Sequence, residues 1–158
     1  MDISYRENDS KFNYRVCAVM VHERAVLAMR DERSPYYYLP GGRVKLGETA
    51  EDAVSRELRE ELGISAAIRR PLWLNQGFFT EDVDRLRYHE LCLYFLMDFA
   101  GTDLLTRGQS FRRDEGVHSH QFTWLPFESL ADAYFYPIFL KEAIFHLPEA
   151  FTLRTEVE

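Results

Sequence analysis

Cysteine is scarce in this chain: Cys17 and Cys92 are the only two among 158 residues. That excludes the dense cross-linking on which small secreted domains rely. Each cysteine lies in an apolar, strand-like run, so both are expected as reduced core thiols of an intracellular protein. Long hydrophobic runs are missing too. None approaches the ~18–20 residues that cross a bilayer, and the opening Met1 to Glu7 has no basic segment followed by an apolar one. The expectation is a soluble, cytoplasmic protein that neither enters a membrane nor carries an export signal. Positive charge is in short supply: 19 Lys and Arg face 26 Asp and Glu, a formal net charge of −7. Duplex nucleic acid calls for a basic footprint and is not an expected partner. Repeats, low-complexity tracts and linkers are absent. The length suits one domain over 1–158, with about 1–12 and 153–158 expected to fray.

What is present is a core. The chain is 46% hydrophobic and 15% aromatic, enough at this length to fold without disulfides or a structural metal. Two apolar runs, Val16 to Val21 and Ala25 to Arg30, read as a hairpin around His22, Glu23 and Arg24. Tyr36 to Leu39 is a strand candidate ended by Pro40-Gly41-Gly42, and Ile68 to Phe79 contains another. The unbroken apolar stretch from Leu91 to Phe99 reads as a central strand buried on both faces, and Gln121 to Leu125 as a further strand stopped by Pro126. Thr49 to Leu62 is the clearest helix: Thr49 suits the N-cap, Asp52 a short capping-box partner, and Gly63 the C-terminal cap. Pro137 to His146 reads as a second helix with proline in its first turn. Strands and helices in this order imply an α/β (α+β) sandwich, helices packed on a mixed sheet.

The chemistry is concentrated between Gly42 and Ile64. Glu57, Glu60 and Glu61 fall within roughly a 100° arc of the helix. Like charges so placed repel, more strongly if desolvated. Val54, Leu58 and Leu62 form the buried stripe, with Ala50 and Ala53 as small neighbours, so the acids lie beside the core. A carboxylate cluster there is costly unless it binds something, and hard oxygen ligands suit Mg²⁺ or Mn²⁺. The bland alternative is a solvated acidic face. Arg56 and Glu60 are an i,i+4 pair in the weaker orientation. Gly41 and Gly42 let backbone approach a ligand closely.

These residues resemble the Nudix box, G-x5-E-x7-R-E-U-x-E-E-x-G-U with U apolar. Gly42, Glu48, Arg56, Glu57, Leu58, Glu60, Glu61, Gly63 and Ile64 fill every specified position. The resemblance implies a Nudix-like α/β/α sandwich and a metal-dependent hydrolase of phosphoanhydride bonds in nucleoside di- or triphosphate derivatives. It implies Glu57 and Glu61 as main metal ligands, Glu60 as a third ligand or the base, and a metal contact from the Gly42 carbonyl. Glu48 would lie in an outer shell or contact a metal through water, and Arg56 would orient a catalytic glutamate. Mg²⁺ or Mn²⁺ would neutralise charge on the diphosphate. Family members often add an acid from a loop outside the box. Glu115, in Asp114-Glu115-Gly116, is the candidate.

Arg43, Arg30 and Tyr38 are candidates for substrate contact, alongside Tyr36 and Tyr37. His118 and His120 would share a side of an extended strand and could ligate metal, but polar residues entering a strand are the favoured reading. Glu90 could face the site. Phe135, Tyr136, Phe139 and Phe145 read as core or as a dimer contact, since homodimers are frequent among proteins of this appearance. Two other readings stand beside the hydrolase: a non-catalytic Nudix-like domain that senses a nucleotide, and a metal-buffering or interaction protein. The residues do not name a substrate.

Overall fold

The computed structural model describes residues 1–158. The strands are β1 (Ser4–Glu7), β2 (Ser10–Val19), β3 (Val21–His22), β4 (Ala25–Asp31), β5 (Gly41–Arg43), β6 (Ala67–Thr80), β7 (Arg87–Asp98), β8 (Ser110–Glu115), β9 (His118–Pro126) and β10 (Thr152–Val157). The helices are α1 (Ala50–Leu62) and the short α2 (Leu140–Ala143). Two sheets result, with strand orders β1-β2-β7-β6-β10 and β3-β4-β9-β8, and β5 adds to β2 in the first. The first sheet is mixed: β2 runs parallel to β7, and β10 parallel to β6. This is the α+β architecture that the sequence implied.

Alternation along β2 builds a core on each side of it. Val16 and Ala18 join Val54, Leu58 and Leu62 of α1 together with Phe122 of the second sheet. Cys17 and Val19 face the other way, into a core with Trp73, Tyr94 and Leu140. β7 is central, between β2 and β6, and feeds both cores as its unbroken apolar run requires.

Four sequence expectations are corrected. Val16 to Val21 does not pair as one hairpin arm: the chain leaves the first sheet after Val19, and only Val21–His22 pairs with Val26 and Ala25. Glu23 and Arg24 make that turn with φ of 47° and 57°, the positive values a two-residue hairpin turn needs. The helix expected over Pro137 to His146 contracts to Leu140–Ala143, flanked by i→i+3 bonds such as Leu140 N–H to Pro137 O at 3.2 Å. Tyr36 to Leu39 forms only isolated bridges, Tyr38 with Met29 and Tyr37 with Phe135. Both chain ends expected to fray are paired instead, Ser4 to Glu7 with β2 and Thr152 to Val157 with β6. Their polar residues sit on outer strands, where one side needs no apolar partner.

Helix α1 is capped as its sequence implied. The Thr49 hydroxyl accepts from Asp52 N–H at 3.1 Å. Gly63 takes φ +66°, and a Cβ there would also stand 2.8 Å from Arg113 Nη2. Two arginines from beyond the helix cover its last carbonyls: Arg107 donates to Leu62 O at 2.8 Å and Arg113 to Glu60 O at 2.7 Å. Gly63→Ala is expected to cost roughly 1–2 kcal/mol from the left-handed backbone alone, lowering the thermal midpoint by about 2–8 °C at this chain length. A calorimetric melt unchanged from the parent would refute that.

Candidate active site

The β5 turn and α1 lie against each other through a carboxylate and a missing side chain. A Cβ on Gly42 would fall 2.2 Å from Glu57 Oε1, so only glycine lets this carboxylate rest on the backbone. One turn on, Glu61 is 6% exposed, and its Oε1 accepts the Gly41 N–H at 2.9 Å. The i,i+4 spacing has turned both acids inward toward the glycine turn. Glu60 points outward and is 43% exposed.

Burial sets the electrostatics. It raises the Glu57 carboxyl, with Arg56 pulling the other way. It pushes Glu61 well above the usual carboxylate range, and the negative charges of Glu57 and Glu115 add to the effect. Two neighbouring acids resisting ionisation form a site in want of positive charge.

Arg56 is the hub. It donates to Glu48 Oε2 at 2.7 Å and Oε1 at 3.0 Å, to Glu57 Oε1 at 2.9 Å, to Glu60 Oε2 at 3.2 Å and to Arg43 O at 3.0 Å. Glu48, which also accepts Lys45 N–H at 3.1 Å, is held down to about 2, chiefly by the Arg56 guanidinium.

Glu115 stands at the end of β8 with Oε2 3.3 Å from His120 Nε2, and its charge reaches Glu61. His120 is 5% exposed, lies 3.8 Å through Nδ1 from Asp31, and leaves Nδ1 without a hydrogen bond. His118 turns away to pair with Glu32 at 2.9 Å. The two histidines that sequence spacing set together therefore have separate surroundings. Among the proposed substrate contacts, Arg43 and Tyr38 line one cavity of about 650 Å³. Arg30 does not line it: its guanidinium lies 4.6 Å from the Tyr37 ring centre on exposed surface. The cavity also takes in Glu90 and three residues that sequence reasoning did not single out, Asn13, Arg15 and Asn75. For Lys11, Asn13 and Arg15 the signal was polar residues at every second position of β2; Asn75, beside Gln76, carried no such pattern.

The donors suit a hard divalent cation. Glu57 and Glu61 supply buried carboxylate oxygens, and Gly42 leaves space beside its backbone. No group of three His, Cys, Asp or Glu side chains is placed to hold a metal ion. Two carboxylates plus a carbonyl would leave positions for water and phosphate, the arrangement Mg²⁺ commonly adopts.

Comparison with known proteins identifies the family. A protein from Methanocaldococcus jannaschii named ADP-ribose pyrophosphatase is 29% identical over 92 residues, 56% of this chain and 52% of that protein. The putative mutator protein MutT4 of Mycobacterium tuberculosis is 33% identical over 92 residues, 58% of this chain and 33% of its own length. The matches thus span about half or less of these curated relatives. The crystal structure of a NUDIX hydrolase from Nitrosomonas europaea superposes with a TM-score of 0.59 at 20% identity, covering 92% of this chain and 79% of that one. Residues 11–144 match the NUDIX domain family, and with the box residues gathered around the Gly41–Gly42 turn, this chain belongs to the Nudix family.

Proposed function

We propose that the chain hydrolyses a phosphoanhydride bond in a nucleoside di- or triphosphate derivative, acting as one domain over 1–158 on a small-molecule substrate. The observation that carries this reading is the inward burial of Glu57 and Glu61 against a glycine turn, beside a cavity of about 650 Å³. Glu57, Glu61 and the Gly42 carbonyl would hold Mg²⁺ or Mn²⁺. The cation would neutralise the diphosphate oxygens and the charge developing on the leaving phosphate.

The chain's own groups divide the remaining work. Glu60, half-exposed and tethered by Arg56, takes the proton of the attacking water. Arg56 orients Glu57 and Glu60 together, and Glu48 fixes the Arg56 fork from the far side. Glu115 adds a negative charge opposite Glu61 and has the His120 ring to steady it. Arg43 and Tyr38 line the path toward the cavity. The relatives named ADP-ribose pyrophosphatase and putative 8-oxo-dGTP diphosphatase supply an adenine and a guanine compound for a first substrate panel.

The test is a panel of such compounds with and without Mg²⁺, followed by release of phosphate and nucleotide. Expected is turnover that vanishes with a chelator and returns with Mg²⁺. Ligand-induced thermal stabilisation with no turnover of any compound would instead favour the nucleotide-sensing reading.

A further inference from the structure

Strand register lays out the cavity floor. Arg15 pairs with Cys92, and Cys92 with Asn75; one step along, Asn13 pairs with Glu90, and Glu90 with Gly77. Neighbouring strands are ~4.8 Å apart and alternate residues share a face, so Asn13, Arg15, Glu90 and Asn75 form one polar platform in the cavity lining. Phe79, Tyr36 and Tyr88 contribute flat aromatic walls.

The hydrogen-bonding capacity of this cavity is lopsided. Most of its acids are already engaged within the protein. Glu81 accepts the Tyr36 hydroxyl at 2.6 Å and the Val83 and Asp84 N–H groups at 2.8 Å. Asp82 accepts the Tyr134 and Tyr136 hydroxyls, Asp84 that of Tyr88, and Glu156 the Phe139 N–H. Arg15, by contrast, lines the cavity with a guanidinium that makes no hydrogen bond or ion pair to the protein. What the floor offers a ligand is a half-buried planar fork of donors, and such a group is not left unmatched without cost.

Charge narrows the ligand further. Burial works against the Arg15 charge, and the negative groups around it, Glu90 foremost, more than reverse that. A guanidinium countered by a carboxylate yet short of hydrogen-bond partners calls for a neutral acceptor: a phosphate placed there would meet Glu90 as well.

We propose that Arg15 is the specificity-determining residue of this cavity and reads a carbonyl-bearing nucleobase of the substrate, guanine or uracil in preference to adenine, the common base without a carbonyl. The proposal rests on the hydrolase reading for where the diphosphate lies and adds which nucleoside is attached to it. The fork meets the base carbonyl and any adjacent ring acceptor, as arginine does with guanine edges elsewhere, while Tyr36 or Phe79 covers a ring face.

The test measures binding, so it does not depend on turnover. Calorimetric titration with the uncleavable α,β-methylene analogues of GDP, UDP and ADP in Mg²⁺ should show the first two binding about tenfold tighter than the third. Arg15→Met should remove that preference by weakening the GDP and UDP analogues about tenfold, leaving the ADP analogue within about twofold. Arg15→Lys, which keeps the charge without the fork, should lose the preference too and gives a folded control if the methionine variant is unstable. Equal binding of the three analogues by the parent protein would overturn the proposal. So would an equal loss for all three in Arg15→Met, which would place the diphosphate itself on Arg15. Absence of hydrolysis with the preference intact would count against the enzymatic reading and leave this one standing.

Discussion

Glu57→Gln and Glu61→Gln are each expected to lower kcat/KM by roughly 10³-fold, the several kcal/mol that a bound cation supplies to a phosphoryl transition state. Glu61→Gln should not weaken the metal-free fold. Glu61 is 6% exposed with Glu57 beside it, and ionising both is unfavourable. A glutamine keeps an oxygen for the Gly41 N–H and carries no charge. Glu61→Gln should therefore melt roughly 2–4 °C higher than the parent at pH 8 without metal, the shift of about 1 kcal/mol in a chain of this size. Added Mg²⁺ should raise the midpoint of the parent and leave both variants unmoved. The paired readings separate a metal site from a structural one. A lower melting temperature with retained activity would mean that these carboxylates serve only the fold.

Arg56→Ala is expected to damage stability and activity together. Its guanidinium is 17% exposed and pairs with Glu48, Glu57 and Glu60 at once. Removing one partner of a largely buried charge network costs about 3–5 kcal/mol, and the released Glu57 and Glu60 would lose their common anchor. Arg56→Lys should recover little, because an ammonium cannot reproduce the two parallel bonds to Glu48. The pH dependence carries a further signature. Glu48 is depressed from 4.5 to about 2 in the folded chain. A carboxyl lowered on folding contributes stability above its unfolded value and loses it as pH falls through the folded one. The stability gap between parent and Arg56→Ala should accordingly hold from pH 7 to about 5 and narrow as pH drops toward 2. Denaturant melts across that range would show it, and a gap independent of pH would exclude the Glu48 pairing as its source.

How much of this was legible in the residues differs from one element to the next. Helix α1 was, because its caps, its Val54-Leu58-Leu62 stripe and its acids are all local and agree with one another. The central position of β7 was legible for a related reason: an unbroken apolar run has only one kind of place to go. The segment after Pro137 was not, since buried Phe139, Leu140 and Ile144 have helical spacing but are satisfied by one turn and its flanking bends. Nor was the departure of the chain from one sheet to the other after Val19, which depends on the partner that β2 finds in β7, far along the sequence. The cavity floor was hidden for the same reason. Glu90 stands out as a lone acid at the start of an apolar run, but Asn13, Arg15 and Asn75 are unremarkable polar residues until register sets three strands side by side.

That register also constrains how the chain comes to be folded. β2 lies parallel to β7, with Ser10 matched to Arg87 and Val19 to Leu96, so the first long strand has no central neighbour until residues 87–96 have been made. A nascent chain emerging from a ribosome must hold Val16 to Met20 out of water by other means, or with a chaperone, until residue 96 appears. Non-local pairing of this kind slows folding and prolongs exposure of apolar edges. Shortened versions ending before β7 should accordingly aggregate rather than fold.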